Sequence, residues 1–171
     1  MKALRAVLKR LKEYGLTERP SKCRVGYPNV IYLGFLADGE NLRPMNDKIE
    51  VIRNITLPKT KSTLRSFLGS ISFYRKFIPN VGGLTAPLSD LLKKGIKEPL
   101  VYSEIARESF DLLKVALASD PILKIPDPNL IFVLRTDSSD FGVGAVLLQY
   151  VDGTPFPVSY ASRKLLPREQ F

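Results

Sequence analysis

A strand-like segment that ends in a carboxylate, followed closely by two more such segments, is the feature that most constrains the fold of this chain. Residues 130–137 are mostly apolar and end in Asp137. Residues 142–150 and 155–161 repeat the strand-like pattern, and an Asp-Gly pair between them is typical of a tight hairpin. We therefore predict a three-stranded antiparallel meander whose first strand carries Asp137 at its end.

Asp137 is the candidate functional residue of this meander. Side chains alternate along a strand, so one face should carry Ile131, Val133, Arg135 and Asp137, and the other Phe132, Leu134 and Thr136. A carboxylate at a strand end is typical of a nuclease site. Residues 137–142 are also typical of a simple turn, because Asp, Ser and Gly are common turn formers. The local pattern leaves both interpretations open.

The first 42 residues combine one helix with strand-like segments. Apolar residues recur at helical spacing from Leu4 to Leu11, and Gly15 is placed to end an amphipathic helix there. Residues 21–26 and 30–37 indicate two strands joined by a Pro-Asn turn.

Residues 44–118 show the periodicity of a small helical bundle. A short helix is predicted from Asp47, which has capping-box spacing to Glu50. A longer helix follows, capped by Thr60, and its buried stripe ends at Pro79. A third helix is predicted over residues 84–95, and a fourth begins at Ser103 with an apolar side that reaches residue 117.

The distribution of charge favours a polyanionic partner. The chain has 26 Lys and Arg against 17 Asp and Glu, a net charge of +9. Residues 1–30 hold eight basic and two acidic side chains, and residues 43–94 hold ten and three. The rest of the chain is neutral or acidic, so the first half should face the polyanion.

Composition also excludes several classes of chemistry. Cys23 is the only cysteine and there is no histidine, which excludes a disulfide framework, a Cys/His zinc site and a histidine general base. Any catalysis must use carboxylates. No apolar run approaches the ~20 residues of a membrane span, and the basic N-terminus lacks the apolar core of a signal peptide. We therefore expect an intracellular protein, cytoplasmic or nuclear, with no membrane partner.

Three groups of motifs, in this order, resemble one protein family. They are Pro20-Ser-Lys-Cys23 with Tyr32-Leu-Gly34-Phe, then Leu64-Arg-Ser-Phe-Leu-Gly69 with Tyr74-Arg-Lys-Phe-Ile78, then Thr136-Asp137-x-Ser-Asp140-x-Gly-x-Gly144-Ala with Tyr160-Ala-Ser-Arg-Lys164. The ordered set resembles the Pol polyprotein of long-terminal-repeat retrotransposons, with the nearest likeness to gypsy-type reverse transcriptases.

The resemblance implies an α+β fold in three parts. Residues 1–42 would be the C-terminal edge of the polymerase palm, 43–128 the thumb and its linking helices, and 129–171 the N-terminal part of an RNase H-like domain. Tyr32 and Gly34 would lie in the primer grip. Asp137 would be the first of four carboxylates that bind the catalytic Mg²⁺ of RNase H. The implied partners are an RNA/DNA hybrid or duplex and the remainder of a Pol polyprotein, and the parent activity is RNA-directed DNA synthesis with degradation of the RNA strand.

The long helix of the bundle offers a second set of candidate residues. The face opposite its buried stripe carries four residues spaced four, three and four positions apart: Arg65, Gly69, Ser72 and Lys76. Small residues flanked by cations allow a duplex to approach while the cations neutralise phosphates. The resemblance implies that this face follows the minor groove of the template–primer duplex. A solvated helix face that binds nothing is the open alternative.

Two carboxylate sets of the family are missing between Met1 and Phe171. No Tyr-x-Asp-Asp motif of the polymerase occurs, and the RNase H carboxylates after the first would follow Phe171. A two-metal site holds its ions ~4 Å apart with several carboxylates, so Asp137 alone is not expected to bind Mg²⁺ stably or to support cleavage. The expected function is duplex binding by part of a reverse transcriptase. The alternatives are a domesticated, non-catalytic nucleic-acid-binding or interaction module and a decayed gene product.

Overall fold

The computed structural model describes residues 1–170, in which α-helices and two antiparallel sheets form the predicted α+β architecture. The helices of this part of the chain are α1 (Lys2–Glu13), α2 (Asn46–Arg53), α3 (Lys61–Phe73), α4 (Val81–Asp90) and α5 (Glu104–Ala118). The first sheet consists of β1 (Val30–Tyr32), β2 (Phe35–Ala37), β3 (Asn41–Pro44) and β4 (Leu123–Lys124). The second consists of β5 (Phe132–Ser138), β6 (Gly142–Val151) and β7 (Thr154–Lys164).

The strand predicted over residues 30–37 is instead the hairpin β1–β2. Tyr32 pairs with Phe35 across a two-residue turn, in which Leu33 and Gly34 have φ of 49° and 81°. Positive φ at both central residues gives the turn a twist that matches two antiparallel strands. The strand predicted over residues 21–26 was also wrong, because Pro20–Lys22 is a 3₁₀ turn and no strand begins before Val30 in the described chain.

The first sheet is larger than predicted. Asp38 accepts hydrogen bonds from the backbone N–H groups of Asn41 (2.8 Å) and Glu40 (3.3 Å), which turns the chain into β3. Both bonds lower the pKa of Asp38, and the bond from Asn41 has the larger effect. β3 then pairs with β4, which lies about 80 residues later in the sequence. The predicted boundary at residue 42 therefore lies within a strand, and the division into three domains stays a prediction.

The predicted helical bundle is confirmed, and its core is the stripe read from the sequence. Leu64, Phe67 and Ile71 of α3 are buried in one apolar core that also includes residues of α5, and the Phe67 and Phe110 ring centroids are 4.6 Å apart. The Thr60 and Ser103 side chains cap α3 and α5 by accepting backbone hydrogen bonds. The capping box predicted at Asp47 was wrong, since α2 begins one residue earlier, after Met45, without a side-chain cap.

Helix α1 forms as predicted but has no buried residue. It ends at Glu13, and Gly15, with φ of 67°, follows as the predicted terminator. Val7 and Leu8 on its apolar side are 55% and 47% exposed. The helix is therefore amphipathic in sequence, but the described residues do not cover its apolar side.

The predicted three-stranded meander is confirmed, including the hairpin at Asp152-Gly153, where both residues have positive φ. β6 lies in the middle, and β5 pairs only with β6 among residues 1–170. Leu134 of β5 is 63% exposed, so one face of this strand is open to solvent. The Gln149 side chain is buried and hydrogen-bonds both the N–H and the C=O of Asp127, which fixes the loop before β5.

The second sheet joins the helices at a seam between β7 and the start of α4. The Gly82 N–H donates to Ser162 Oγ at 2.7 Å, and Arg75 Nη2 donates to the Ser162 carbonyl at 3.1 Å. A Cβ on Gly82 would lie 2.9 Å from the Arg163 backbone nitrogen, closer than such atoms approach. Only glycine at this position allows the strand and helix to touch.

The chain after β7 contains a 3₁₀ turn, Pro167–Glu169, where the first turn of a helix was predicted over residues 167–171. Phe171, the last residue of that prediction and of the predicted third domain, lies outside the described residues. Within residues 1–170, every helix is too short or too polar to span a lipid bilayer.

The seam predicts a contrast between two glycines. We expect Gly82→Ala to lower the free energy of unfolding by about 1–3 kcal/mol, because the backbone of β7 must move. Gly69→Ala, at an exposed helix position where an added Cβ would meet nothing within 4 Å, should raise it by about 0.5–1 kcal/mol. Urea denaturation of both variants measures the difference. Equal stabilities would contradict the close packing at the seam.

Candidate functional site

Three of the four candidate residues on the long helix share an exposed face. Arg65, Gly69 and Ser72 are all exposed on α3, away from the buried stripe. A Cβ on Gly69 would meet nothing within 4 Å, so the surface at this point is open. A helix face with a small residue between a cation and a hydroxyl suits close approach to a phosphate backbone.

Lys76, the fourth candidate, lies elsewhere. α3 ends at Phe73, and Lys76 lies in the 3₁₀ turn Arg75–Phe77. Its Nζ is 4.0 Å from the centroid of the Phe35 ring and 5.3 Å from that of Phe77. Burial lowers the pKa of Lys76. The ammonium group therefore contacts aromatic faces rather than continuing the row along α3.

Of the predicted primer-grip residues, Tyr32 precedes the turn of the β1–β2 hairpin and Gly34 lies within it. Tyr32 is 64% exposed, and Ile31 and Leu33 beside it are exposed as well. A Cβ on Gly34 would lie 3.3 Å from the Phe73 ring, so glycine lets the turn lie against the end of α3. Phe73 directly follows Ser72, and the structure thus brings the hairpin and the α3 face together.

An aromatic cluster fixes this arrangement. The Phe35 and Phe73 rings are stacked, with centroids 5.0 Å apart and planes within 1° of parallel. Tyr74 meets Phe35 edge-on at 5.9 Å, and Phe77 contacts it at 5.5 Å. Phe35 is buried, as are Tyr74 and Phe77. The orientation of the hairpin is therefore set by one side chain packed against three aromatic rings.

Asp137 lies at a separate place, near the end of β5. It is opposite Gly144 of β6, which is opposite Ser162 of β7, so all three belong to the sheet face that packs on the helices. Asp137 is exposed, and its Oδ1 accepts from the Ser138 N–H at 2.9 Å. With Arg75 and Ser162 it lines a recess of about 580 Å³.

The described residues do not by themselves fit a two-metal site. Catalysis with two metals needs several carboxylates around the ions. No three metal-ligating side chains come together anywhere in residues 1–170. Asp137 has oxygen atoms of the kind that Mg²⁺ prefers, but within residues 1–170 it belongs to no group of three Asp, Glu, His or Cys side chains.

No sequence pattern singled out the seam residues Arg75, Gly82 and Ser162. Arg75 stands inside the Tyr-Arg-Lys-Phe-Ile motif and Ser162 inside the Tyr-Ala-Ser-Arg-Lys motif, and neither motif assigns them a contact. Their hydrogen-bond partners are 80 or more residues away in the sequence, and a local sequence pattern cannot predict a contact over that separation. The only local signal was the Gly82-Gly83 pair, which is unusual near the start of a helix.

Comparison with known proteins gives a consistent result. Residues 102–171 match the family model described as an RNase H-like domain found in reverse transcriptase. The Tf2-3 and Tf2-4 transposon polyproteins of Schizosaccharomyces pombe are each 34% identical over 166 residues. That alignment covers 96% of this chain and 12% of each polyprotein, so the chain spans about an eighth of the length of these relatives.

Solved structures support the same relationship. The foamy viral protease-reverse transcriptase in complex with dsDNA has a TM-score of 0.74 and 25% identity, over 98% of this chain and 35% of the viral one. The same viral protein in complex with an RNA/DNA hybrid has a TM-score of 0.74 and 26% identity, over 98% of this chain and 23% of the viral one. The predicted resemblance to retrotransposon Pol proteins is thereby confirmed.

The aromatic cluster predicts that Phe35 is essential for the arrangement of the site. We expect Phe35→Ala to lower the free energy of unfolding by about 3–5 kcal/mol, because a buried ring in contact with three others is lost. Phe141→Ala, which removes a ring that is 72% exposed, should change it by less than about 0.5 kcal/mol. Chemical denaturation provides the comparison. A small effect at Phe35 would show that the cluster does not hold the hairpin.

Proposed function

Since the chain belongs to the reverse transcriptase and RNase H region of retrotransposon Pol polyproteins, we propose that it binds an RNA/DNA template–primer duplex. The duplex would contact the exposed face of α3 through Arg65, Gly69 and Ser72, and the hairpin turn through Tyr32 and Gly34. The observation that carries the proposal is the packing of this turn on Phe73, next to Ser72, which joins the two candidate groups into one surface.

Charge and exposure support this surface as the binding face. Arg65 is exposed, and residues 43–94 have ten basic against three acidic side chains. Apolar and aromatic side chains at the hairpin, with Tyr32 the most suitable, can pack on sugars and bases without reading sequence. The proposed binding is therefore electrostatic in its main part and independent of sequence.

We propose that Lys76 acts indirectly in this surface. Its ammonium group lies on the Phe35 ring, so it would orient the hairpin beside α3 rather than neutralise a phosphate. Helical spacing alone predicts that Lys76 contacts a phosphate of the duplex directly. In the proposed role it is instead a positioning residue for the hairpin.

We further propose that Asp137 contributes one ligand to a Mg²⁺ site for cleavage of the RNA strand. Its place at the end of a strand and the family match over residues 102–171 support this assignment. The remaining carboxylates would come from residues other than the 170 described. We therefore expect the chain alone to bind a hybrid without cleaving it.

The binding proposal predicts a strong dependence on salt. Affinity for a labelled RNA/DNA hybrid, measured by fluorescence anisotropy between about 50 and 200 mM salt, should fall linearly on a log–log plot. Arg65→Gln should reduce the slope by about one, because one phosphate contact is lost. Arg107→Gln removes the same charge from an exposed position on α5 and should leave the slope unchanged. Affinity that is constant across this range would overturn the proposal.

The proposal for Asp137 predicts no unaided cleavage. With Mg²⁺ and a labelled hybrid, the wild-type chain and Asp137→Asn should both show only background hydrolysis, because one carboxylate cannot assemble the metal site. Gel electrophoresis of the RNA strand measures the rates. Cleavage by the wild type that disappears in Asp137→Asn would show that this chain forms a working site.

A further inference from the structure

A cleft of about 370 Å³ lies between α3, α4 and β7 and adjoins the α3 face at Ser72. Three cations line this cleft: Arg75, Arg163 and Lys164. The hydroxyl groups of Ser72, Ser89 and Ser162 also line it, together with that of Thr85, which already donates to the Val81 carbonyl at 2.8 Å. A concave surface with cations and hydroxyl donors has the composition of a site for an oxyanion.

Two of the three cations are already paired with carboxylates. Arg163 Nη1 lies 2.7 Å from Glu169 Oε2, and this hydrogen bond lowers the pKa of Glu169. Lys164 Nζ lies 3.4 Å from Asp90, which also binds Lys93 at 2.9 Å. Lys93 first, and Lys164 to a smaller extent, lower the pKa of Asp90. Both carboxylates therefore remain ionised and offset the charges of their partners.

Arg75 is the cation whose charge is not offset. Its Nη2 donates to the Ser162 carbonyl at 3.1 Å, which anchors the guanidinium at the seam. None of the carboxylates in the described chain lies within ion-pair distance of Arg75. Arg163 and Lys164, in contrast, each have a carboxylate within that distance. A guanidinium has five N–H donors, and the carbonyl occupies one of them. The others are available for a ligand.

Arg75 also connects two surfaces of the molecule. It lines the cleft together with Ser72, which belongs to the proposed duplex-binding face. It lines the recess of Asp137 as well, together with Gly144 and Ser162. A strand that leaves the α3 face toward Asp137 would therefore pass Arg75.

We propose that this cleft is a phosphate-binding subsite in which Arg75 contacts one phosphodiester of a nucleic-acid strand between the α3 face and Asp137. The inference rests on the proposed function and adds to it the residue that sets the position of the strand relative to Asp137. Guanidinium groups bind phosphate through paired N–H donors, which fixes orientation as well as charge. The Ser162 carbonyl holds Arg75 in place before the ligand arrives.

The test compares Arg75→Gln with Arg75→Lys and Arg107→Gln in the full chain, using the labelled hybrid at several salt concentrations. Arg75→Gln should weaken binding about tenfold and reduce the salt slope by about one, since one charge-assisted contact is lost. Arg75→Lys should recover the slope, because it keeps the charge. Arg107→Gln should behave as wild type. If Arg75→Gln binds as tightly as wild type with the same slope, the subsite is overturned while the proposed function stands.

Thermal unfolding separates binding from a structural role. If both Arg75→Gln and Arg75→Lys lose affinity and also unfold at a lower temperature, the subsite is overturned. Loss of the seam contact would then be enough to explain the weaker binding. Unfolding temperatures close to that of the wild type support it.

A titration with inorganic phosphate, followed by NMR at the Ser72 and Ser162 amides, separates failure of the subsite from failure of the proposed function. Saturable shifts that vanish in Arg75→Gln support an oxyanion site even if the hybrid does not bind. No shifts in a wild-type chain that also fails to bind the hybrid would overturn both proposals.

Discussion

The packing of Phe35 against the end of α3 is the contact on which the rest of the structure depends. Phe35 lies on β2, the strand between β1 and β3, so its contacts with Phe73 and Phe77 orient the whole first sheet. Through β3 the same sheet includes β4, which leads to the second sheet. The hairpin and the helical bundle therefore share one core from Phe35 to Leu123.

The second sheet is attached by a different kind of contact. At the seam the backbone of β7 touches α4 at Gly82 through polar groups, while Tyr160 of the same strand packs against the helical core. Hydrogen bonds of fixed geometry define relative position more sharply than apolar packing of the same area. Because Ser162 and Asp137 lie on one face, this attachment also fixes the distance between Asp137 and the helices.

The sequence predicted the elements whose signals are local. Helical periodicity and the side-chain caps at Thr60 and Ser103 located α3 and α5, and alternation located the meander. The β1–β2 turn was missed because Leu33 is an unusual residue for positive φ and interrupts no apolar run. The contacts of Lys76 and Arg75 depend on residues distant in sequence, so spacing along one helix could not assign them.

The position of β5 at the edge of its sheet has a consequence for how the chain behaves in solution. Its backbone is hydrogen-bonded to a neighbour on one side only within the described residues, so its outward N–H and C=O groups bind water. Such a strand opens locally at low cost and exchanges its amide hydrogens early. Any strand added along that side would pair these groups and slow this exchange. The resistance of β5 to local opening therefore depends on how many of its backbone groups are paired.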